Sequence, residues 1–338
     1  MNAPSRDAKF TIVQVNDVHL DVTTPARRTD NYHDAVMQKL LDVRDYCNAH
    51  EVHAVAFTGD LFNKPEGSRV PHRLVSELVA YFAGFRPGLP VFMVPGNHDL
   101  LMRPVLDNQP IRSIYEAGRV VNPGDGMVVE RNGIAVNFAG GLYYDDIDVD
   151  RRGYHMKRDP EALWNVKLAH GMLLPDGMKF FDRWTNPVDL LDFEGDVILV
   201  GHYHDFLGIF GSVPRPGRMP ILCVNYGSLS RGSISGYRDD RMPVFCTIEL
   251  GPYPQIKTEA VIPASARNFV EVFAVEDYEA EKVAASRMEE VVQSISTMAQ
   301  QGFGQRSIDA MVDDAVAGCS DAVTVLVRGF VKKAQGVA

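Results

Sequence analysis

Five short polar clusters carry the side chains able to do chemistry: Asp17-Val18-His19, Gly59-Asp60, Gly96-Asn97-His98-Asp99, His170 and Gly201-His202-Tyr203-His204. Together they offer carboxylate, carboxamide and imidazole groups and no thiolate. That donor set suits borderline divalent ions such as Mn(II), Fe(II) or Zn(II). Asp60 is the candidate bridge between two ions, because a carboxylate has two oxygens that each carry lone pairs. Glycines at 59, 96, 171 and 201 permit tight turns and close backbone approach. One cluster alone says little, since a histidine after a strand is commonly a loop or capping residue and Gly-Asp commonly marks a turn. The information lies in the ordered set.

Each cluster follows an apolar run. A strand at Phe10–Val15 leads into Asp17 and His19, one at 53–58 into Asp60, and one at 90–94 into Asn97 and His98. Between them, Val36, Leu40, Val43 and Cys47 fall on one face of a helix, and a second amphipathic helix spans 71–85. Strand, helix, strand, helix, strand implies parallel crossovers, whose carboxyl ends are where ligands bind in open α/β sheets. The middle of the chain reads as strands at 133–139, 164–169, 196–200, 221–224 and 243–250, two of them ending in the histidine clusters. Beyond Pro263 the pattern reads strand (269–275), helix (279–300), helix (307–317), strand (322–327). A domain boundary is expected near 251–267, separating 1–255 from 265–338.

The ordered set resembles the complete signature of the calcineurin-like metallophosphoesterases, over about residues 10–230. The fold class implied is an α/β four-layer α-β-β-α sandwich with a small C-terminal α/β capping domain. The resemblance implies that Asp17, His19, Asp60 and His204 hold one metal and that Asp60, Asn97, His170 and His202 hold the other. The activity it implies is two-metal phosphodiester hydrolysis, with a bridging hydroxide as nucleophile. His98 then assists the leaving group, with Asp99 beside it and Asn63 nearby. Asn63 stands where many members have Asp or His supporting that histidine. An asparagine side chain can orient His98 but does not stabilise an imidazolium as a carboxylate does.

Within that superfamily, Gly59-Asp-Leu-Phe-Asn63-Lys-Pro, Gly140-Gly-Leu-Tyr143 and Asn225-Tyr226-Gly227-Ser228 are similar to the SbcD-type DNA double-strand-break-repair nucleases, with a chain length like that of phage versions. This finer resemblance implies a DNA exo/endonuclease with two divalent metal ions, Mn2+ foremost, and DNA contacts from Asn225, Tyr226, Gly227 and Ser228. The partners it implies are DNA, an SMC-like ATPase subunit of an SbcCD-type complex, and a second copy of the chain in a homodimer. A phosphodiesterase or phosphatase acting on nucleotides or other small phosphoesters is the alternative. A catalytically dead scaffold is disfavoured, because every ligand position and His98 are filled.

Composition narrows the classes further. The 338 residues are 46% hydrophobic and 23% charged, and no apolar run approaches the roughly 20 residues of a bilayer span. No membrane association is expected. The amino-terminal residues do not resemble a secretory signal, so the expected location is the cytoplasm, that of the bacterial host if the chain is phage-encoded. Cys47, Cys223, Cys246 and Cys319 are scattered and predict neither disulfides nor a thiolate zinc site. A formal charge of −10 argues against bulk attraction to nucleic acid, leaving a local patch such as Arg151, Arg152, Lys157 and Arg158 as a candidate phosphate track.

Overall fold

The computed structural model describes residues 5 and 7–278 except 64–69, 101–108, 179–182 and 235–240, and, further on, 280–283, 286, 289, 293, 308–317, 324–325 and 327–329. Two compact units are present, Met1–Phe273 and Ala274–Ala338.

The first unit is built on two six-stranded sheets. One runs β12 (Ile256–Val261), β11 (Phe245–Leu250), β1 (Phe10–Val15), β2 (Ala54–Phe57), β3 (Val91–Met93), β4 (Val120–Val121). Its β1, β2, β3 and β4 are parallel, and β11 and β12 close the other side antiparallel. The second sheet runs β5 (Met127–Arg131), β6 (Ile134–Gly140), β7 (Trp164–His170), β8 (Val197–Gly201), β10 (Arg218–Asn225), β9 (Gly208–Arg215). There β6, β7, β8 and β10 are parallel.

The central strands are buried on both faces, which is why they read as unbroken apolar runs. In β1, Phe10 and Ile12 enter the core between the sheets, while Val13 and Val15 face α1 (Tyr32–Ala49) and α2 (His72–Ala83). Helix α1 begins at Asn31, whose side chain accepts from the Asp34 amide, and it lays Val36, Leu40, Val43 and Cys47 wholly buried on that sheet. Leu74, Leu78, Tyr81 and Phe82 of α2 are buried in the same core. On the outer face of the second sheet, Ala169, Ile198, Val200 and Ile221 are covered by short turns carrying Ile147, Tyr154, Leu190 and Phe193. The architecture is thus α/β with four layers, the outermost one reduced to single helical turns. Cys47, Cys223 and Cys246 are free and buried.

Phe138 joins the two sheets, its ring 4.7 Å from Phe92 and 6.0 Å from Phe10. Phe138→Ala is expected to cost about 3–5 kcal/mol through lost transfer energy and the cavity left behind, measured by denaturant unfolding.

The C-terminal third differs from its expected elements. Residues 269–275, expected as a strand, begin instead with a short helix, Phe269–Val272, started by an Asn268/Glu271 capping box. A capping box nucleates a helical turn that apolar alternation does not reveal. The described residues within 322–327 are helical rather than extended, and no strand occurs among the described residues of the second unit. Helix is present at the described positions of 280–293 and at Ile308–Ala315. Most of 279–307, the end of the chain, and Lys64-Pro65 lie outside the described residues.

Candidate metal centre

The parallel strands of both sheets end at one place. β1 delivers Asn16, Asp17 and His19; β2 delivers Thr58, Gly59 and Asp60; β3 leads to Gly96 and Asn97; β7 ends in His170; and β8 leads to His202 and His204. Polar bonds stitch the sheets together there. Asn16 and Gln14 donate to the Val200 carbonyl across the interface at 3.3 and 3.4 Å, and the Thr58 hydroxyl donates to Asn16 Oδ1 at 2.6 Å. Sequence patterns missed Gln14, Asn16 and Thr58, although polar residues inside an otherwise apolar strand end are the signal that could have marked them.

Two donor groups result, Asp17, His19, Asp60 and His204 in one and Asp60, His170 and His202 in the other, with ligand atoms in each group within 4.8 Å of one another. Asp60 belongs to both. In the first group His19 Nε2 lies 2.9 Å from His204 Nε2 and 3.6 Å from Asp60 Oδ2. In the second, His170 Nε2 lies 3.0 Å from Asn97 Oδ1, 3.2 Å from His202 Nδ1 and 3.4 Å from Asp60 Oδ1. Two nitrogens each about 2.1 Å from one cation, at a right angle, stand about 3.0 Å apart. The donor spacing is therefore compatible with two such nitrogens sharing one cation, as it is with a hydrogen bond between them. His170 is oriented from behind: its Nδ1 is 2.8 Å from the Thr58 carbonyl, which fixes the proton on Nδ1 and leaves Nε2 free to ligate.

Burial sets the charge states. It holds His19 well below its usual range and takes His202 and His204 down to about 3 and about 4, so all three are neutral with lone pairs available. Burial alone would raise Asp60, but His170, His19 and His98 keep it below the usual carboxylate range. Asp17 is pushed up to about 7, mainly by burial, with repulsion from Asp60 adding to it. His170 would fall on burial, yet Asp60 and Asp17 raise it to about 9. A cation held here would compete with the His170 proton and would displace it on binding.

The backbone is strained where these donors sit. Asp17, His19, Asp60 and His202 all have positive φ (47°, 48°, 52° and 91°), and they account for most of the described non-glycine residues with that conformation. Such strain persists only where surrounding structure enforces it, and it gathers at functional sites. Gly96 is required for a different reason: a Cβ there would overlap the Asp60 carboxylate and the His170 ring.

His98 lies beside this cluster. Its amide donates to Asp60 Oδ1 at 2.9 Å, its ring meets His19 edge-on at 4.8 Å, and its Nδ1 is 2.6 Å from the Asn63 carbonyl. Nε2 is thus the nitrogen left for chemistry. The expectation that the Asn63 side chain orients His98 is corrected, since the main-chain carbonyl does so and Asn63 Nδ2 donates to Asp21 instead. Asn63→Ala is accordingly expected to lower kcat by no more than about threefold, while losing a hydrogen bond worth about 1 kcal/mol of stability. A loss of activity like that of a His98 variant would refute this assignment.

Asp99, expected to take part beside His98, is buried and accepts from the Phe62 and Gly96 amides at 3.0 and 2.9 Å. Through these two bonds it ties the Asp60 loop to the Asn97 loop. The four residues expected to touch substrate are also turned inward. Asn225 and Ser228 are wholly buried. Asn225 donates to the Tyr203 carbonyl and accepts from Gly227, and the Ser228 amide donates to the His204 carbonyl at 3.0 Å. Gly227, at φ 77°, packs where a Cβ would crowd His204, and the Tyr226 hydroxyl pairs with Thr258. This turn holds His204 in place. The candidate phosphate track is similarly occupied, with Arg151, Arg152 and Arg158 paired to Asp189, Asp150 and Asp196.

The sequence pattern of the calcineurin-like phosphoesterases matches residues 10–206, from the first residue of β1 to just past His204. The chain belongs to the calcineurin-like phosphoesterases. The matched stretch includes every residue of both donor groups and His98. No curated protein matches this phosphoesterase. Among the described residues no helix is long and apolar enough to cross a membrane.

Proposed function

We propose that this phosphoesterase is a manganese-dependent DNA exo/endonuclease of the SbcD type, working as a homodimer with an SMC-like ATPase subunit. The observation that carries phosphoester hydrolysis is the meeting of two histidine-carboxylate groups on the shared Asp60, with His98 at their side. A nucleic-acid substrate is supported by Tyr143. Its half-buried ring lies 5.8 Å from the His170 ring and 6.3 Å from that of His202. An aromatic face beside the phosphoryl position can carry a base, a contact worth about 1–3 kcal/mol.

When bound, two divalent cations supply Lewis acidity to the phosphoryl oxygens and make water acidic enough to react near neutral pH. The chain contributes the remainder. Asp60 holds the two donor groups in register, and the Thr58 carbonyl keeps His170 in the right tautomer. Gly59 and Gly96 leave room that a side chain would fill. His98, with Nδ1 held by the Asn63 carbonyl, presents Nε2 as the proton donor to the leaving oxygen. With the chain acidic overall and the arginines of 151–158 paired, the main attraction for DNA phosphate comes from the cations themselves and from the partner subunit.

The test uses chelator-stripped protein reloaded with Mn2+, Zn2+, Fe2+ or Mg2+ and offered linear duplex DNA, single-stranded DNA and bis(p-nitrophenyl) phosphate. Stripping is expected to abolish all turnover, Mn2+ to restore it best, and both DNA forms to be shortened. Turnover of the small diester with intact DNA would transfer the reading to nucleotide or other small phosphoester substrates.

A further inference from the structure

A cavity of about 380 Å³ opens where the start of α1 faces Arg231 and residues 265–272. None of its lining residues belongs to the two donor groups of the metal centre. Arg28, Lys39, Arg231 and Arg267 line it, against the carboxylates of Asp30 and Asp34. Arg28 cancels Asp30 through two bonds of 2.7 and 2.6 Å, which leaves Lys39, Arg231 and Arg267 against Asp34 and the nearby Asp42, a small positive excess within a chain of formal charge −10.

Two polar groups in this wall are incompletely matched. Lys39 is only 5% exposed, and its ammonium donates to the Ala35 carbonyl at 2.8 Å. Among the described residues no carboxylate lies within ion-pair distance of it. Burial, with Arg28 and Arg231 nearby, lowers it to about 8 against the opposing pull of Asp30 and Asp42. The hydroxyl of Ser265 is buried without a hydrogen-bond partner, although its amide is anchored on Asp42 at 2.7 Å. A buried ammonium, a buried hydroxyl and guanidinium groups make a donor set for a doubly charged oxyanion. The volume is about a dozen times a water's share of the liquid, more than a phosphate alone requires.

We propose that this cavity binds a small organic phosphate, its phosphoryl group against Lys39 and Ser265 and its remainder toward exposed Arg267. The site is independent of the nuclease reading. Full-length protein held in excess chelator, so that the metal centre has no cation to attract phosphate, is titrated calorimetrically with AMP, glycerol 3-phosphate, inorganic phosphate and acetate. One-to-one binding of the phosphates is expected, with acetate at least about tenfold weaker, the worth of one charge-assisted hydrogen bond. Lys39→Met and Arg267→Ala are each expected to weaken binding by about tenfold on the same grounds. Stronger binding of the esters identifies an organic phosphate as the occupant, and equal binding of inorganic phosphate identifies the free anion. Should Lys39→Met fail to fold by thermal melting, the exposed Arg267→Ala decides alone. Absence of binding overturns the proposal. So does binding that both variants leave unchanged, and so does acetate binding as tightly as phosphate.

Discussion

Asp60→Asn is expected to abolish hydrolysis and to release both cations. The substitution keeps the size of the side chain and the acceptor oxygen that receives the His98 amide at 2.9 Å. What it removes is the second anionic oxygen. In the native side chain Oδ1 faces His170 at 3.4 Å and Oδ2 faces His19 at 3.6 Å, one toward each donor group. An amide offers one acceptor and one donor, so it cannot serve two cations at once. Without Asp60, His19 and His204 keep only Asp17 as an anion. Metal analysis should fall from about two ions per chain to less than one, because deprotonated ligands drive binding. Turnover of bis(p-nitrophenyl) phosphate should drop by at least about a thousandfold, given how much of such rates rests on acidified water and Lewis acidity. A variant that kept both ions and a tenth of its activity would remove Asp60 from its bridging role.

His98→Ala makes the opposite pattern the expected one: full metal content with slow chemistry. His98 touches the cluster through its amide and its ring edge but belongs to neither donor group. Loss of a proton donor costs about 10²–10⁴ in kcat, with KM little changed. The loss should depend on the leaving group. It should be large for DNA, whose departing alkoxide needs a proton, and small for p-nitrophenyl esters, whose phenolate leaves without one. An equal loss on both substrates would indicate that His98 shapes the site rather than protonating the leaving oxygen. Pairing this variant with Asn63→Ala separates side chain from backbone, since the carbonyl that holds His98 Nδ1 survives the latter.

The alternation of apolar strands and helices through residue 100 was legible because those strands are buried on both faces. Their sequences carry that burial as unbroken apolar runs, from Phe10–Val15 to Val91–Met93. Edge strands were not legible. β12 (Ile256–Val261) alternates exposed and half-buried positions with Lys, Thr and Glu, and it pairs only with β11. β5 (Met127–Arg131) is largely exposed for the same reason. Strands at a sheet's edge need less apolar surface, so the pattern that reveals a strand fades there.

By itself the sequence determined which side chains this phosphoesterase offers, in what order, and that each follows a strand. Those properties are local, because a strand that ends in Asp, Asn or His carries its polar residue past the sheet wherever the sheet lies. Only the tertiary structure decided that two separate sheets end at the same point, bound by Asn16, Gln14 and the Thr58 carbonyl, and that Asp60 faces both groups. It also decided which neighbours of the site act and which brace. Asp99, Asn225 and Ser228 have the chemistry to touch a substrate, but backbone amides and carbonyls 2.6–3.0 Å away engage their side chains first. A hydrogen bond to a buried main-chain group depends on where distant segments pass, and no spacing along the chain records that.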